Sequence, residues 1–572
     1  MSLLIETFSK EFDLPTDSTR GETAPRDQLS AEQLANLGTL AAQLTPGIAP
    51  ENPEQQASRE NEVYRLTRNP ETYEVKVESD ITLEDIERVT NPEDWALIKE
   101  WAEPLKDKTF VFINPTMEGG GVAMIRPAVV HMLNLLGAEA RWYVMAPVKD
   151  PSEGNPFVFT KLMHNISQRM TDERITPEGK ALHWKWANEE NGPVLERQEN
   201  IRQADFIIID DPQPAPLIGR LKEASPGAKF IWRDHIDTDN NLKADLSTPQ
   251  GEVADYLKRV CGVSKVDAVM THPVDSFVNY DLYDKTYFTP ATFDQFDNLN
   301  KHLTETEIAE GIEFINAEID KKNLELEATE FTAIEPLSLD PNKKRLTLIA
   351  RFDPSKGMDK AIELGVLTRQ KMRAQGVPEN ELPEIVIVGN GSQDDTDGDW
   401  MYEEILHERE KYPEEIKSII VMRLKHNYDA MNALICRSSL MMQTSYREGL
   451  ETRISDAINH GKPPFIFDNG GMDTQVFDGE SGVILKFNKP DHDLNRGANI
   501  MSELLMDSDK YANLVETTKK LGKTFNSREF TTPANVARIL RICNDLIGNP
   551  VTTADKKTWK MSDFVAASKV TA

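Results

Sequence analysis

The chain has 572 residues, enough for two to four domains, and its 39% hydrophobic and 28% charged residues are those of an ordinary globular protein. Against 65 basic residues stand 95 acidic ones, a net charge of −30. Such a polyanion is repelled by nucleic acid and by anionic membrane, so neither is expected as a partner, while a local cationic site for a phosphate stays compatible.

In chain order, Met1-Ser2-Leu3-Leu4-Ile5-Glu6 has neither the basic nor the long apolar region of a signal peptide. No apolar run approaches the ~20 residues of a membrane span. Residues 1–107 read as a polar, acidic, helical extension. Its Pro-rich part, 44–53, is a loop or linker, and Leu83–Val89 and Trp95–Ile98 carry helical spacing. From residue 109 the pattern is α/β. Apolar runs at Phe110–Ile113, Trp142–Met145, Phe206–Ile209, Phe230–Trp232 and Ala268–Met270 alternate with helical stretches, which predicts a mainly parallel sheet covered on both faces. The charged stretch 298–335 reads as a passage between domains. A second α/β series follows, with strands at 345–350, Ile385–Val388, Ile419–Met422, 439–443, Phe465–Phe467 and Val483–Leu485. Thr532-Pro533 starts a helix with Val536, Ile539, Leu540 and Cys543 on one face, and Gly548-Asn549-Pro550 ends it. The expected divisions are 1–107, 108–335, 336–530, 531–548 and a tail, 549–572. Cys261, Cys436 and Cys543 are too far apart for a metal-ligand pattern or a disulfide framework, and read as reduced thiols of a cytoplasmic protein.

Four places carry chemistry. Glu118-Gly119-Gly120-Gly121 follows a strand and opens a helix, so its backbone can approach a ligand and offer N–H groups to an anion; a plain tight turn reads equally well. His235 follows the strand Phe230–Trp232, with Arg233 and Asp237 beside it at one sheet edge; alone, such a histidine is more often structural. Arg351-Phe352-Asp353-Pro354-Ser355-Lys356-Gly357 leaves the C-terminal end of a buried strand, where open α/β sheets bind ligands. Arg351 brings a planar fork for phosphate oxygens and Lys356 a mobile point charge, although Arg351 could merely pair with Asp353. Glu448-Gly449-Leu450 forms the turn after the strand at 439–443, and Asp456 lies about two helical turns further on. A carboxylate in the turn can hold sugar hydroxyls, and helix N–H groups between the two acids suit a phosphate; a solvated acidic turn is the bland alternative.

The last two motifs, in this order, resemble the retaining GT-B glycosyltransferases of family four, which carry an R-F-D-P-x-K-G loop and a Glu-x7-Glu pair. Glu118–Ala123, Arg141–Val144, Asp211-Pro212-Gln213-Pro214 and Trp232-Arg233-Asp234-His235-Ile236-Asp237 look like segments of the trehalose-forming members, the glycosyltransferring trehalose synthases and the fungal trehalose phosphorylases. The resemblance covers roughly 108–547. It implies an α/β GT-B fold, two Rossmann-like domains facing across a cleft, with a final helix crossing back to the first. It implies catalytic roles for Arg351, Lys356, Glu448 and His235, and donor contacts from these first three and Gly120, Gly121, Gly449, Leu450 and Asp456. Asp211, Gln213, Arg233 and Asp237 fall to the acceptor side. No metal or cofactor is expected, because protein cations meet the leaving phosphate, and no covalent nucleophile is assigned.

The implied function is retaining transfer of a glucosyl group from a phosphate-activated donor, a nucleotide sugar ahead of a sugar phosphate, to a small sugar. Reversible phosphorolysis through glucose-1-phosphate is the alternative, and a catalytically silent sugar- or nucleotide-binding regulator is the reading of another class. A homodimer is compatible with the sequence. Three departures stand out. Asp210 replaces the family's His before Asp-Pro-Gln-Pro. Asp456 replaces the second Glu. Glu451 and Arg453 stand where the synthases carry smaller or apolar residues, nearer the phosphorylase pattern.

Overall fold

The computed structural model describes residues 63–549 except 118–120, 148–153, 237–239, 273, 275–276, 278–279, 328–338, 390–396, 425–426 and 487–493. Eight strands form a first sheet: β1 (Arg65–Arg68), β2 (Glu74–Glu78), β3 (Thr109–Asn114), β4 (Glu139–Val144), β5 (Phe206–Asp210), β6 (Lys229–Asp234), β7 (Ala268–Thr271) and β8 (Thr286–Phe288). Their order is β1-β2-β4-β3-β5-β6-β7-β8, and β3 to β8 run parallel. In β3 the side chains alternate between two cores. Phe110 and Phe112 pack with Trp95, Trp142 and Ile208, while Val111 and Ile113 pack with Met163, Ile207 and Leu217. Burial on both faces explains why these strands read as unbroken apolar runs.

The stretch expected as a helical extension differs in its described part. β1 and β2 form an antiparallel ribbon that adds to the sheet beside β4. The ribbon is an edge, so Arg65, Thr67, Lys76 and Glu78 stand out toward water and dilute the strand pattern. The helices Leu83–Val89 and Pro92–Ala102 follow, the second with Pro92 at its first position and the Asn91 side chain accepting from the Glu93 and Asp94 amides. They bury Ile86, Trp95, Ile98 and Ala102 in the same core as Phe110.

The second sheet has six parallel strands: β9 (Arg345–Ile349), β10 (Glu384–Gly389), β11 (Ile419–Arg423), β12 (Leu440–Gln443), β13 (Pro464–Phe467) and β14 (Val483–Leu485). Their order is β11-β10-β9-β12-β13-β14. The chain thus winds outward from β9 on one side and resumes at β12 on the other. The first sheet has the same reversal between β3 and β5. Loops leaving the C-terminal ends of strands at such reversals splay apart and leave a crevice.

The helix Thr532–Leu546 packs on the first sheet's side, with Val536, Ile539, Leu540, Ile542 and Cys543 in the core that holds Phe110 and Phe112. Its Thr532 hydroxyl bonds Asp294 at 2.9 Å. Among the described residues no helix is long and apolar enough to cross a membrane.

Candidate active site

A cavity of about 230 Å³ lies where the strand ends of the two sheets meet. From the second sheet it takes Arg351 and Lys356, which follow β9, and Glu448, Leu450, Glu451 and Arg453, which follow β12. The β9 loop is shaped by Asp353, whose Oδ1 accepts from the Ser355 amide at 2.9 Å and hydroxyl at 2.8 Å. Gly357 closes the turn at φ +59°, where a Cβ would run into the Thr444 carbonyl, and the helix Met358–Ala374 begins. The turn delivers Lys356 to two carboxylates: its Nζ bonds Glu448 Oε2 and, at 2.7 Å, Glu451 Oε2.

Electrostatics follow from that triad. Burial opposes the Lys356 charge, but Glu448 and Glu451 outweigh it and hold its pKa above the ordinary value. Burial pushes the Glu448 carboxyl up, only partly offset by Lys356. For Glu451 the same lysine outweighs burial, and its pKa falls. Gln475 clamps this loop: its Oε1 accepts from the Glu451 amide at 2.9 Å and its Nε2 donates to the Glu451 carbonyl at 3.0 Å.

Gly449 is where the second half of the chain presses on the first. A Cβ there would lie 2.6 Å from His272 and 2.7 Å from Phe277. Leu450 lines the cavity and also packs with Phe293, Phe477, Phe525 and Phe530. Asp456 is not on the cavity wall. It is buried, with Oδ2 on Arg453 Nη1 at 2.6 Å and Oδ1 on Asn300 Nδ2 at 2.9 Å. Arg453, one helical turn earlier, occupies the wall instead.

The first sheet contributes Gly121, Asp211, Gln213, Arg233 and His235 to the wall. Gly121 opens the helix Gly121–Leu135. Asp211 holds φ +69° directly after β5, a left-handed conformation that is uncommon for a residue with a Cβ. Gln213 is anchored through its carbonyl, which pairs with His183 Nε2 at 2.8 Å. Arg233 is buried, and burial lowers its pKa to about 10. Gly120 and Asp237 lie outside the described residues.

Several wall residues escaped the sequence reading. Lys161 and His164 come from the helix Pro156–Ser167. Lys161 is buried and reaches across to Asp353 Oδ2 at 2.5 Å, with Asp397 Oδ2 at 3.8 Å. Asn165 bonds Asp397 at 2.9 Å on the same seam. The signal was present: Phe157, Lys161 and His164 fall at i, i+4 and i+7, so a charge sits on the helix's apolar face. His272, Asn114 and Arg453 also line the cavity. Among the described residues no group of three or more His, Cys, Asp or Glu is placed to hold a metal ion.

Four imidazoles near the cleft are held neutral, His183 and His272 fully buried and His164 and His235 partly so. Burial lowers His235 and His183 to about 4, and burial with Lys161 lowers His164 to about 3. The ordinary value is 6.5. Between the two values the unfolded chain binds protons that the native chain does not. The stability these rings contribute is therefore full above about pH 6.5 and is lost as the pH drops toward 4, while the Asp234 carboxyl, raised to about 6 by burial, acts in the opposite sense over the same window. Histidine ring resonances followed by NMR from about pH 7 to 5 are expected to stay those of neutral imidazoles, and rings that charge near 6.5 would contradict their burial.

Comparison with known proteins places this architecture. The trehalose 6-phosphate synthase of Burkholderia multivorans superimposes with a TM-score of 0.53 at 12% identity, over 82% of this chain and 98% of that one. The sucrose-phosphate synthase of Thermosynechococcus elongatus does so at 0.50 and 14%, over 77% and 99%. The fold is GT-B, two α/β units facing across a ligand cleft.

Residues 112–279 match the trehalose synthase N-terminal domain model, and 330–521 match glycosyl transferases group 1. The trehalose synthase of Pyrococcus horikoshii is 30% identical over 471 residues, 82% of this chain and 97% of its own length. The trehalose phosphorylase of Pleurotus sajor-caju is 31% identical over 442 residues, 73% of this chain but 56% of its own. The chain belongs to the group 1 glycosyltransferase family that includes the trehalose synthases and trehalose phosphorylases. It spans little more than half the length of the phosphorylases it matches.

Proposed function

We propose that the chain is a retaining hexosyltransferase that moves a glucosyl group from a phosphate-activated donor to a small sugar, giving an α-linked product such as trehalose. The carrying observation is the meeting of Arg351 and Lys356 with Glu448 at the reversal point of the second sheet, opposite His235 and Asp211 of the first. Breaking a glycosyl–phosphate bond leaves negative charge on phosphate and positive charge on the sugar ring. Arg351 and Lys356 stabilise the first electrostatically in a water-poor cleft. Glu448 orients the sugar through its hydroxyls while Lys356 steadies the carboxylate. The acceptor enters on the leaving group's face, past Asp211 and Gln213, and the departing phosphate helps take its proton. A cytoplasmic setting belongs to this reading and fits three unpaired thiols, Cys261, Cys436 and Cys543.

No carboxylate acts as a nucleophile in this scheme. Glu448 is tied to Lys356, and Asp456 is tied to Arg453 and Asn300. Incubation with a fluoro-sugar donor followed by peptide mass spectrometry is expected to find no glycosyl adduct on either residue. An adduct on one of them would overturn the mechanism.

The donor is assigned as a nucleotide sugar, because the chain covers nearly all of a trehalose synthase's length. One observation favours the second reading, phosphorolysis. Asp456 stands where the resembled family holds a ribose, yet its carboxylate is occupied and a cation, Arg453, faces the cavity in its place. Trehalose is incubated with phosphate in one tube and with ADP or UDP in another. A nucleotide sugar formed only in the second supports the synthase. Glucose-1-phosphate formed only in the first supports the phosphorylase. No reaction in either removes trehalose from the proposal.

A further inference from the structure

Asp210, the last residue of β5, is wholly buried beneath the first sheet's wall of the cavity. It lies directly opposite Arg233 in the β5–β6 register, and His235 follows two residues after Arg233. One carboxylate oxygen, Oδ2, accepts from Arg126 Nη2 at 2.5 Å, and the Arg126 guanidinium lies 4.2 Å over the Phe112 ring. The other oxygen, Oδ1, stands 3.9 Å from both Arg233 Nη1 and His235 Nε2. Oδ1, Nε2 and all three Arg233 guanidinium nitrogens are buried without a hydrogen-bond partner. Buried polar atoms rarely stay so, because an unmade bond costs the whole desolvation penalty of the group. The hydrogen bonds of a catalytic centre are often long without substrate and tighten when it binds.

We propose that Asp210 is the positioning residue of His235, accepting a hydrogen bond from Nε2–H and so leaving Nδ1 as a pure acceptor for a sugar hydroxyl in the cleft. Two arginines flank the carboxylate, so it stays ionised and has only lone pairs to offer. The imidazole is neutral, so it carries one proton. With an anion at Nε2, that proton sits on Nε2. The neighbouring His272 ring, 5.4 Å away, is likewise buried and its pKa lowered, and adds no charge to this balance. The residue that departs from the resembled family is thereby the one that sets which nitrogen meets the substrate.

The imidazole itself can be read without turnover, so this inference and the transfer reading fail separately. The protein is labelled with ¹⁵N-histidine, and the His235 signals are assigned by their loss in His235→Gln. Wild type is expected to show a neutral ring protonated on Nε2. In Asp210→Asn the amide can turn its NH₂ toward Nε2, moving the proton to Nδ1. Turnover is then expected to fall by up to about 10⁴-fold, the loss a wrongly held histidine tautomer can cause, while the donor KM changes little. A wild-type ring that is charged or protonated on Nδ1 overturns the inference, as does an Asp210→Asn enzyme with unchanged tautomer and kcat. If Asp210→Asn does not fold, the wild-type spectrum decides alone.

Discussion

Arg351→Ala and Lys356→Ala are each expected to reduce kcat by about 10²–10³-fold, the usual loss when one strong contact to developing charge is removed. Their effects on stability should part company. Arg351 is 26% exposed, so its loss is expected to cost less stability than the loss of Lys356. Lys356 is buried between Glu448 and Glu451. Removing it leaves two mostly buried carboxylates facing each other on the cavity wall, a loss that approaches the about 3–5 kcal/mol of a broken buried pair. Steady-state kinetics with thermal unfolding of both variants tests it. Near-wild-type turnover in both would remove the phosphate-cation assignment, and equal melting points would contradict the burial of the Lys356 triad.

Lys161→Met is expected to be strongly destabilising. Lys161 is 3% exposed and its partner Asp353 1%, and the two come from opposite halves of the chain. Methionine keeps the volume but strands the Asp353 carboxylate, again about 3–5 kcal/mol. Burial raises the Asp353 carboxyl, but Lys161 and Arg351 outweigh it and hold it well below the usual range. Its stabilising contribution is therefore present above the unfolded value of about 3.9 and is lost as the pH falls through the native one. Denaturant unfolding at neutral pH and below pH 4 measures this. Lys161→Met should lower stability strongly at neutral pH and by less in acid. A uniform loss at all pH values would mean that packing, not the ion pair, is what Lys161 supplies. Because the pair spans the cleft, small-angle scattering should also report a more open molecule.

Strand alternation was legible because each β–α unit is local: buried parallel strands announce themselves as apolar runs between helical stretches. The edge ribbon of β1 and β2 was not, because an edge strand is half solvated and carries its charges openly. The loop Arg351–Gly357 was legible for a similar local reason, since Asp353, Pro354 and Gly357 shape the turn within one short segment.

What the sequence alone determined was therefore the set of parts: two α/β series, a phosphate-suited loop after one strand, and an acidic turn after another. What only the tertiary structure decided was which charges answer which. β9 and β12 become neighbours through the sheet order, bringing Lys356 to Glu448 across 92 residues of chain. Lys161 meets Asp353 across 192 residues. Asp456 is drawn off the cavity wall by Arg453 three residues away and by Asn300, 156 residues back. A buried charge takes its state from whatever stands within a few ångströms, and that set is chosen by packing between distant elements, which no local pattern encodes.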